Sequence, residues 1–287
     1  MLNLYLFQIL NGIGLGMIYF LAAVGLSIIF GLLNVVNFAH GAFFLLGSYI
    51  CFTVFALTGN FWLGLLVAPL LVGVLAWGIE RLLINRIYHL PHTFHILITL
   101  GVALIIQEGI IIIWGPIGKA IPMPGILQGV ILMGGSFAYP KYRLFVIGFS
   151  AILGLVLWLF LERTRFGALV RAGSEDRQTV ALLGTNIYRL FTITFTLGVA
   201  LAAVAGVLSA PIQGAYPFLG TEVLVLAFVV VVIGGMGSFT GALVGGLIIG
   251  IVQTLMTTIW PAGSDLMIYA AMALVILFRP YGLFGRA

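Results

Sequence analysis

Apolar residues fill this chain in long runs, with polar positions confined to a few islands between them. Runs near spanning length occupy about residues 4–30, 38–57, 61–84, 94–114, 143–161, 190–211, 222–236, 240–259 and 265–279. A helix needs roughly 20 apolar residues to cross the hydrocarbon core of a bilayer. Only elements that satisfy their own backbone polar groups survive there. The pattern therefore predicts an all-α polytopic membrane protein, a single domain over residues 1–287 with eight or nine hydrophobic segments. The segment 222–236 is short and runs into Gly234-Gly235-Met236-Gly237. It reads as re-entrant or half-length, with a helix break at Gly234, Gly235 and Gly237. Residues 115–142 carry Pro116, Pro122, Pro124 and Pro140 and read as an external loop rather than a span.

Charge places this pattern in lipid. The chain has 12 Lys and Arg and 7 Asp and Glu, only 7% of its residues, against roughly 25% in soluble domains. Residues 1–79 carry no charged side chain, and 190–264 carry one, Glu222, the expected start of the short segment. The net charge of +5 does not indicate nucleic acid; in a membrane protein, basic residues near helix ends report orientation. Eight charged side chains cluster from Glu162 to Arg189, five of them arginines. The positive-inside rule puts this loop, 162–189, in the cytoplasm, together with Arg81, Arg86, Arg279 and Arg286. Alternation then leaves Lys119, Lys141 and Arg143 outside, against the rule. The side of the N-terminus is left open. Small residues suit close helix packing: Gly12, Gly14 and Gly16 fall in the first helix, and Gly241, Gly245 and Gly246 near the end. Phe38-Ala39-His40-Gly41-Ala42 and Phe239-Thr240-Gly241-Ala242 form a weak internal echo.

Within the charged loop, Ser174 is an expected N-cap, with Glu175 and Asp176 in the first turn of a short helix and Gly184 as its C-terminal stop. Val180 and Leu183 are expected on one side. So short a helix is marginal in water and must pack on something. Both a docking element and a solvated loop that anchors topology are compatible with the residues. The stretch Asn34–Gly41 interrupts apolar sequence with two asparagines, a histidine and a glycine. It reads either as a wall of a translocation path, with Asn34, Asn37, His40 and Gly41 as candidates, or as a loop with Asn37 capping the next helix. Gln107 and Glu108 lie inside the fourth apolar segment and are candidates for the path, for a proton relay or for interhelical bonding.

Other chemistry is sparse. Cys51 is the single cysteine. His89, His92 and His95 recur every three residues, but Pro91 interrupts their alignment and no metal site is expected. Gly115-Pro116-Ile117-Gly118-Lys119 lacks the spacing and the Ser/Thr of a phosphate-binding loop. With no nucleophile–base set, the chain is not expected to be an enzyme or to bind a cofactor itself.

Three stretches resemble one family. They are Gly167-Ala168-Leu169-Val170-Arg171-Ala172-Gly173-Ser174-Glu175-Asp176 continuing to Ala181-Leu182-Leu183-Gly184-Thr185-Asn186, then Asn34-Val35-Val36-Asn37-Phe38-Ala39-His40-Gly41, and Ala227-Phe228 through Gly234-Gly235-Met236-Gly237-Ser238. Together the chain resembles LivH-type permeases, the membrane subunits of branched-chain amino acid ABC importers. The resemblance implies a bacterial inner-membrane protein and two cytoplasmic ATP-binding subunits that use ATP. It also implies a second homologous permease and an external substrate-binding protein. It assigns coupling to the ATPases to Arg171, Ala172, Glu175, Asp176, Val180, Leu183 and Gly184. Related permeases carry urea or short amides, and an ion-gradient-driven transporter is the alternative of another class.

Overall fold

The structure is a computed structural model and describes residues 2–133 and 137–285. Its helices are α1 (Leu2–Leu33), α2 (His40–Thr58), α3 (Phe61–Ile79), α4 (His92–Trp114) and α5 (Lys141–Arg163), then α6 (Arg165–Glu175), α7 (Arg177–Leu182), α8 (Ile187–Gln213), α9 (Leu219–Gly234), α10 (Phe239–Ile259) and α11 (Ser264–Phe278). Eight helical stretches among the described residues are long and apolar enough to cross a membrane; α9 is shorter. The chain is thus a multi-pass membrane protein. The short segment begins at Leu219, three residues before the expected start.

The bundle is layered around α1 and α8. α1 packs chiefly on α10 and α8, and α8 also packs on α2 and α3. Their buried faces hold the core, including Phe20, Phe43 and Phe195. α4, α5 and α11 lie outside and present rows of exposed Leu and Ile, such as Leu104, Ile105, Ile112, Ile152 and Leu277. In water such rows would be aggregation-prone; against lipid they cost nothing.

Sidedness follows from contacts. Phe7, near the start of α1, packs edge-on to Tyr139 with ring centroids 5.6 Å apart. The other end of α1 lies against α6, where Gly173 faces Leu32. The N-terminal end of α1 therefore shares a side with residues 115–140, opposite the arginine-rich loop. The external segment is more ordered than its prolines suggest. β1 (Val130–Met133) pairs antiparallel with β2 (Phe137–Pro140), and Lys119 bridges Ala215.

Two helices start inside the bundle. After α1, Asn34 turns the chain with φ 51°, and residues 34–39 climb back into the bundle. His40, the first residue of α2, bonds through Nε2 with the Ala22 carbonyl at 2.8 Å. That is about 16 Å back along α1 from its C-terminus at 1.5 Å per residue. α9 is about 24 Å long on the same measure, short of the roughly 30 Å hydrocarbon core; the chain enters it through a turn at residues 217–218. The starts of α2 and α9 meet there: a Cβ on Gly41 would lie 1.9 Å from the Gly220 carbonyl oxygen. Inside lipid, the free backbone of such breaks must find partners. The Phe38 amide donates to Thr99 Oγ1 and the Ala39 amide to Asn37 Oδ1. Asn37 thus closes a turn one step before the helix rather than capping it.

The glycine stripe of α1 is split. Gly12 and Gly16 press on the backbone of α10 at Gly250 and Gly246, while Gly14 faces Ile147 of α5. Residues two apart on a helix point to different faces. At the α2–α8 crossing a Cβ on Gly206 would sit 2.0 Å from the Phe44 carbonyl oxygen, whereas Gly101 has no atom within 4 Å. Gly206→Val should therefore cost roughly 1–3 kcal/mol by overpacking and lower the apparent Tm in detergent. Gly101→Ala should hold or raise it through better helix propensity. Thermal unfolding of the two purified variants, read side by side, checks this.

Candidate functional site

The arginine-rich loop folds into two short helices, α6 and α7, and its caps differ from the expected ones. Thr164 caps α6, its Oγ1 accepting the Gly167 amide at 3.1 Å. α6 then runs through Ser174, whose hydroxyl donates back to the Arg171 carbonyl, and ends at Glu175. Ser174 is thus not an N-cap. Helix α6 is strongly amphipathic, burying Gly167, Val170 and Gly173 against the bundle, and this buried stripe carries the helix past the position that local propensity favoured. Asp176 is the cap of α7, its Oδ1 accepting the amides of Gln178 at 2.9 Å and Thr179 at 3.1 Å. The Thr179 hydroxyl and amide, then the Gln178 amide, hold the Asp176 carboxyl below its usual range despite full exposure. At the other end Gly184 adopts φ 84° and donates to the Ala181 carbonyl, the left-handed stop expected of it.

The faces of α7 are also decided by tertiary contact. Val180 is buried, but Leu183 is 79% and Leu182 87% exposed, so Val180 and Leu183 point to opposite sides. The helix ends at Leu182, and the turn into Gly184 throws Leu183 outward. Ala172 and Glu175 are exposed on α6. Arg171 donates to the Leu161 carbonyl and lies 3.4 Å from Glu162, both side chains nearly half exposed; an ion pair so exposed adds little stability.

Beneath these helices lies a polar pocket of about 490 Å³ lined by Gly31, Asn34, Glu175, Asp176, Arg177 and Met236, among others. It joins the three stretches singled out in the sequence. Gly235, φ 101°, breaks the chain after α9 and leaves carbonyls of the last turn without helical partners. The C-terminal segment folds back to supply them: Leu283 N donates to Ile233 O at 2.8 Å and Phe284 N to Gly234 O at 2.9 Å. A Cβ on Gly235 would meet Gly285 N at 2.4 Å, so close approach and left-handed backbone both require glycine. Gly237 likewise lies beside Gly31 of α1.

The remaining candidates lie elsewhere. Asn37, His40 and Gly41 are buried in the bundle, away from the pocket that Asn34 faces. Gln107 is half-buried and Glu108 exposed on the outer face of α4. Sequence reading missed an aromatic anchor. Arg177 stacks over Phe191 of α8 at 5.6 Å. Beside it Tyr88 packs on Phe191 and donates to Glu80 Oε1 at 2.8 Å. Burial and the neighbouring Glu80 push the Tyr88 hydroxyl well above its usual range. Glu80, fully buried in a π-turn after α3, is the available signal: a carboxylate ending an apolar run needs a partner.

The fold is that of a multi-pass membrane protein: a bundle of apolar helices, two of which start inside it, with a structured arginine-rich loop at one end. The family described as "Branched-chain amino acid transport system / permease component" matches residues 8–277, and the chain belongs to it. LivH of Salmonella typhimurium, a high-affinity branched-chain amino acid transport system permease protein, is 30% identical over 98% of this chain and 96% of its own. BraD of Pseudomonas aeruginosa is 32% identical over the same shares. LivM of Escherichia coli is 28% identical over 94% of this chain and 68% of its own. Among solved structures, PsaBC from Streptococcus pneumoniae in complex with a Fab has a similar fold, with TM-score 0.50 and 11% identity over 93% of this chain and 89% of that one.

Because the folded Asp176 carboxyl is depressed, its capping is complete near neutral pH and is lost as pH falls through the acidic range. Asp176→Ala should speed hydrogen exchange at the Gln178 and Thr179 amides, Asp176→Asn should largely restore protection, and the wild type should lose it only in acid. Hydrogen–deuterium exchange corrected for intrinsic pH dependence measures all three.

Proposed function

We propose that this chain is a membrane-spanning permease subunit of an ATP-driven importer of branched-chain or related aliphatic amino acids, resident in a bacterial inner membrane. One observation carries the reading: α7 is capped at both ends, anchored underneath, and leaves Leu182 and Leu183 exposed. Two adjacent exposed leucines on a helix this short are costly in water and favourable in an apolar groove. The groove belongs to one of two ATP-binding subunits. ATP is used by those subunits, and this chain needs no cofactor of its own.

Coupling runs through the anchor. Movement of α7 loads Arg177 against Phe191 and Tyr88, at the cytoplasmic ends of α8 and α3. Movement of α6 loads Gly173 against Leu32 at the end of α1. The pocket at Asn34 between them opens or closes as these ends shift, giving the path its cytoplasmic gate. Asn37, His40 and Gly41 hold the discontinuous start of α2 that frames it. The second permease covers the outer face of α4: a carboxylate facing lipid is costly, and Glu108, exposed there, finds its partner across that interface. An external binding protein delivers the substrate.

Gentle extraction of the tagged chain should recover a second permease and ATP-binding subunits in fixed stoichiometry. Leu182→Asp and Leu183→Asp should each cut ATP-dependent leucine uptake about tenfold, or ~1.4 kcal/mol of coupling, with normal membrane insertion. A chain that purifies alone and transports on an ion gradient, or aspartate variants with full uptake, would refute the proposal.

A further inference from the structure

A second pocket, on the opposite side of the membrane from the coupling loop, is built from chemistry that the coupling mechanism does not use. It has a volume of about 360 Å³ and lies between α1, α5, α8 and α10, within the roughly 300–1,000 Å³ typical of small-molecule sites. Its lining includes Gln8, Asn11, Ile18, Arg143, Val146 and Gln213. Arg143 is the one charged group among the lining residues, and among the described residues no carboxylate forms an ion pair with it. Its near neighbour is the Tyr139 hydroxyl, which burial pushes up and the guanidinium draws down. This is also a basic residue that sidedness alone does not explain, since it lies outside, against the positive-inside rule.

The lining is also rich in acceptors. Asn11 is 7% exposed, lines the pocket, and its Oδ1 is buried with no hydrogen-bond partner. Buried polar atoms left unpaired cost about 1–3 kcal/mol, and a ligand donor would remove that cost. Gln213 uses its Nε2 on Ser209 at 3.0 Å, a bond that does not engage its Oε1. The rest of the wall is fixed by bonds across α1 and α10: Tyr19 Oη to Gln253 Oε1 at 2.8 Å and Gln8 Nε2 to Thr258 Oγ1 at 2.8 Å. The apolar Ile18 and Val146 also line the pocket.

We propose that this pocket receives a zwitterionic α-amino acid with an aliphatic side chain: Arg143 pairs with its carboxylate, Asn11 Oδ1 and Gln213 Oε1 accept from its ammonium, and Ile18 and Val146 meet its side chain. A charge-assisted bond from arginine orients a carboxylate, while amide acceptors hold an ammonium without attracting inorganic cations as a carboxylate would. The pocket lies in the outer half of the bundle and serves as the first station for substrate leaving the binding protein. The inference rests on the importer reading above and gives it a site.

The native thiol, Cys51, is fully buried, so one introduced cysteine reports alone on this chain once its label is read after separation from the partner subunits. Leu15, also on the pocket wall, is changed to Cys in the full transporter in proteoliposomes and labelled from outside with an anionic methanethiosulfonate. L-leucine should slow labelling about fivefold or more once it exceeds its apparent Kd several-fold. Leucinol, which lacks the carboxylate, and urea should not. In the Arg143→Gln background the protection should vanish and uptake fall about tenfold, while Arg143→Lys keeps part of both. Labelling indifferent to leucine in a complex that transports it, protection by urea instead, or full uptake by Arg143→Gln would overturn the pocket alone. Absence of ATP-driven leucine uptake by the unsubstituted complex would overturn the importer reading and the pocket with it.

Discussion

Backbone polar groups inside lipid must be satisfied by protein, and this requirement organises the molecule wherever a helix is interrupted. α2 and α9 both start within the bundle, where their first amides would be unpaired in hydrocarbon. The chain meets this with Thr99 and Asn37 at the start of α2. At the end of α9 it uses the C-terminal segment, whose amides cover the carbonyls of Ile233 and Gly234. Each solution needs a backbone approach that only glycine allows, at Gly41 against Gly220 and at Gly235 against Gly285. The two glycine-bearing motifs are thus packing solutions to interrupted helices, and His40 belongs to the same solution through its bond to Ala22.

Interruptions also create what a transporter needs. A continuous helix packed along its length has nothing to open, whereas a break concentrates movable contacts at one depth. The first pocket lies where the end of α1, the break after α9 and the end of α6 meet. The Arg177–Phe191–Tyr88–Glu80 chain of contacts joins α7 to α8 and to the turn after α3. The outer pocket is different in kind: its walls are braced by α1–α10 bonds, and it presents one cation against amide acceptors.

The sequence by itself determined the class of fold. Nineteen charges in 287 residues leave lipid as the solvent, so the apolar runs mark the spans within a few residues, Leu219 and Leu33 included. Gly184 marked the stop of the short helix α7 because a left-handed residue is a local requirement. Local rules failed where tertiary contact outweighs them. Ser174 is a good cap by chemistry, yet Gly173 against Leu32 draws α6 past it and passes the cap to Asp176. Three-residue spacing put Val180 and Leu183 together, yet the helix ends between them and separates them. Only the tertiary structure decided which polar side chains share a space. Asn34 and Asp176 meet at one pocket, Asn11 and Arg143 at another, while His40 and Asn37 are sealed in the bundle, because these groupings depend on helix crossings that glycine contacts set and no single segment encodes.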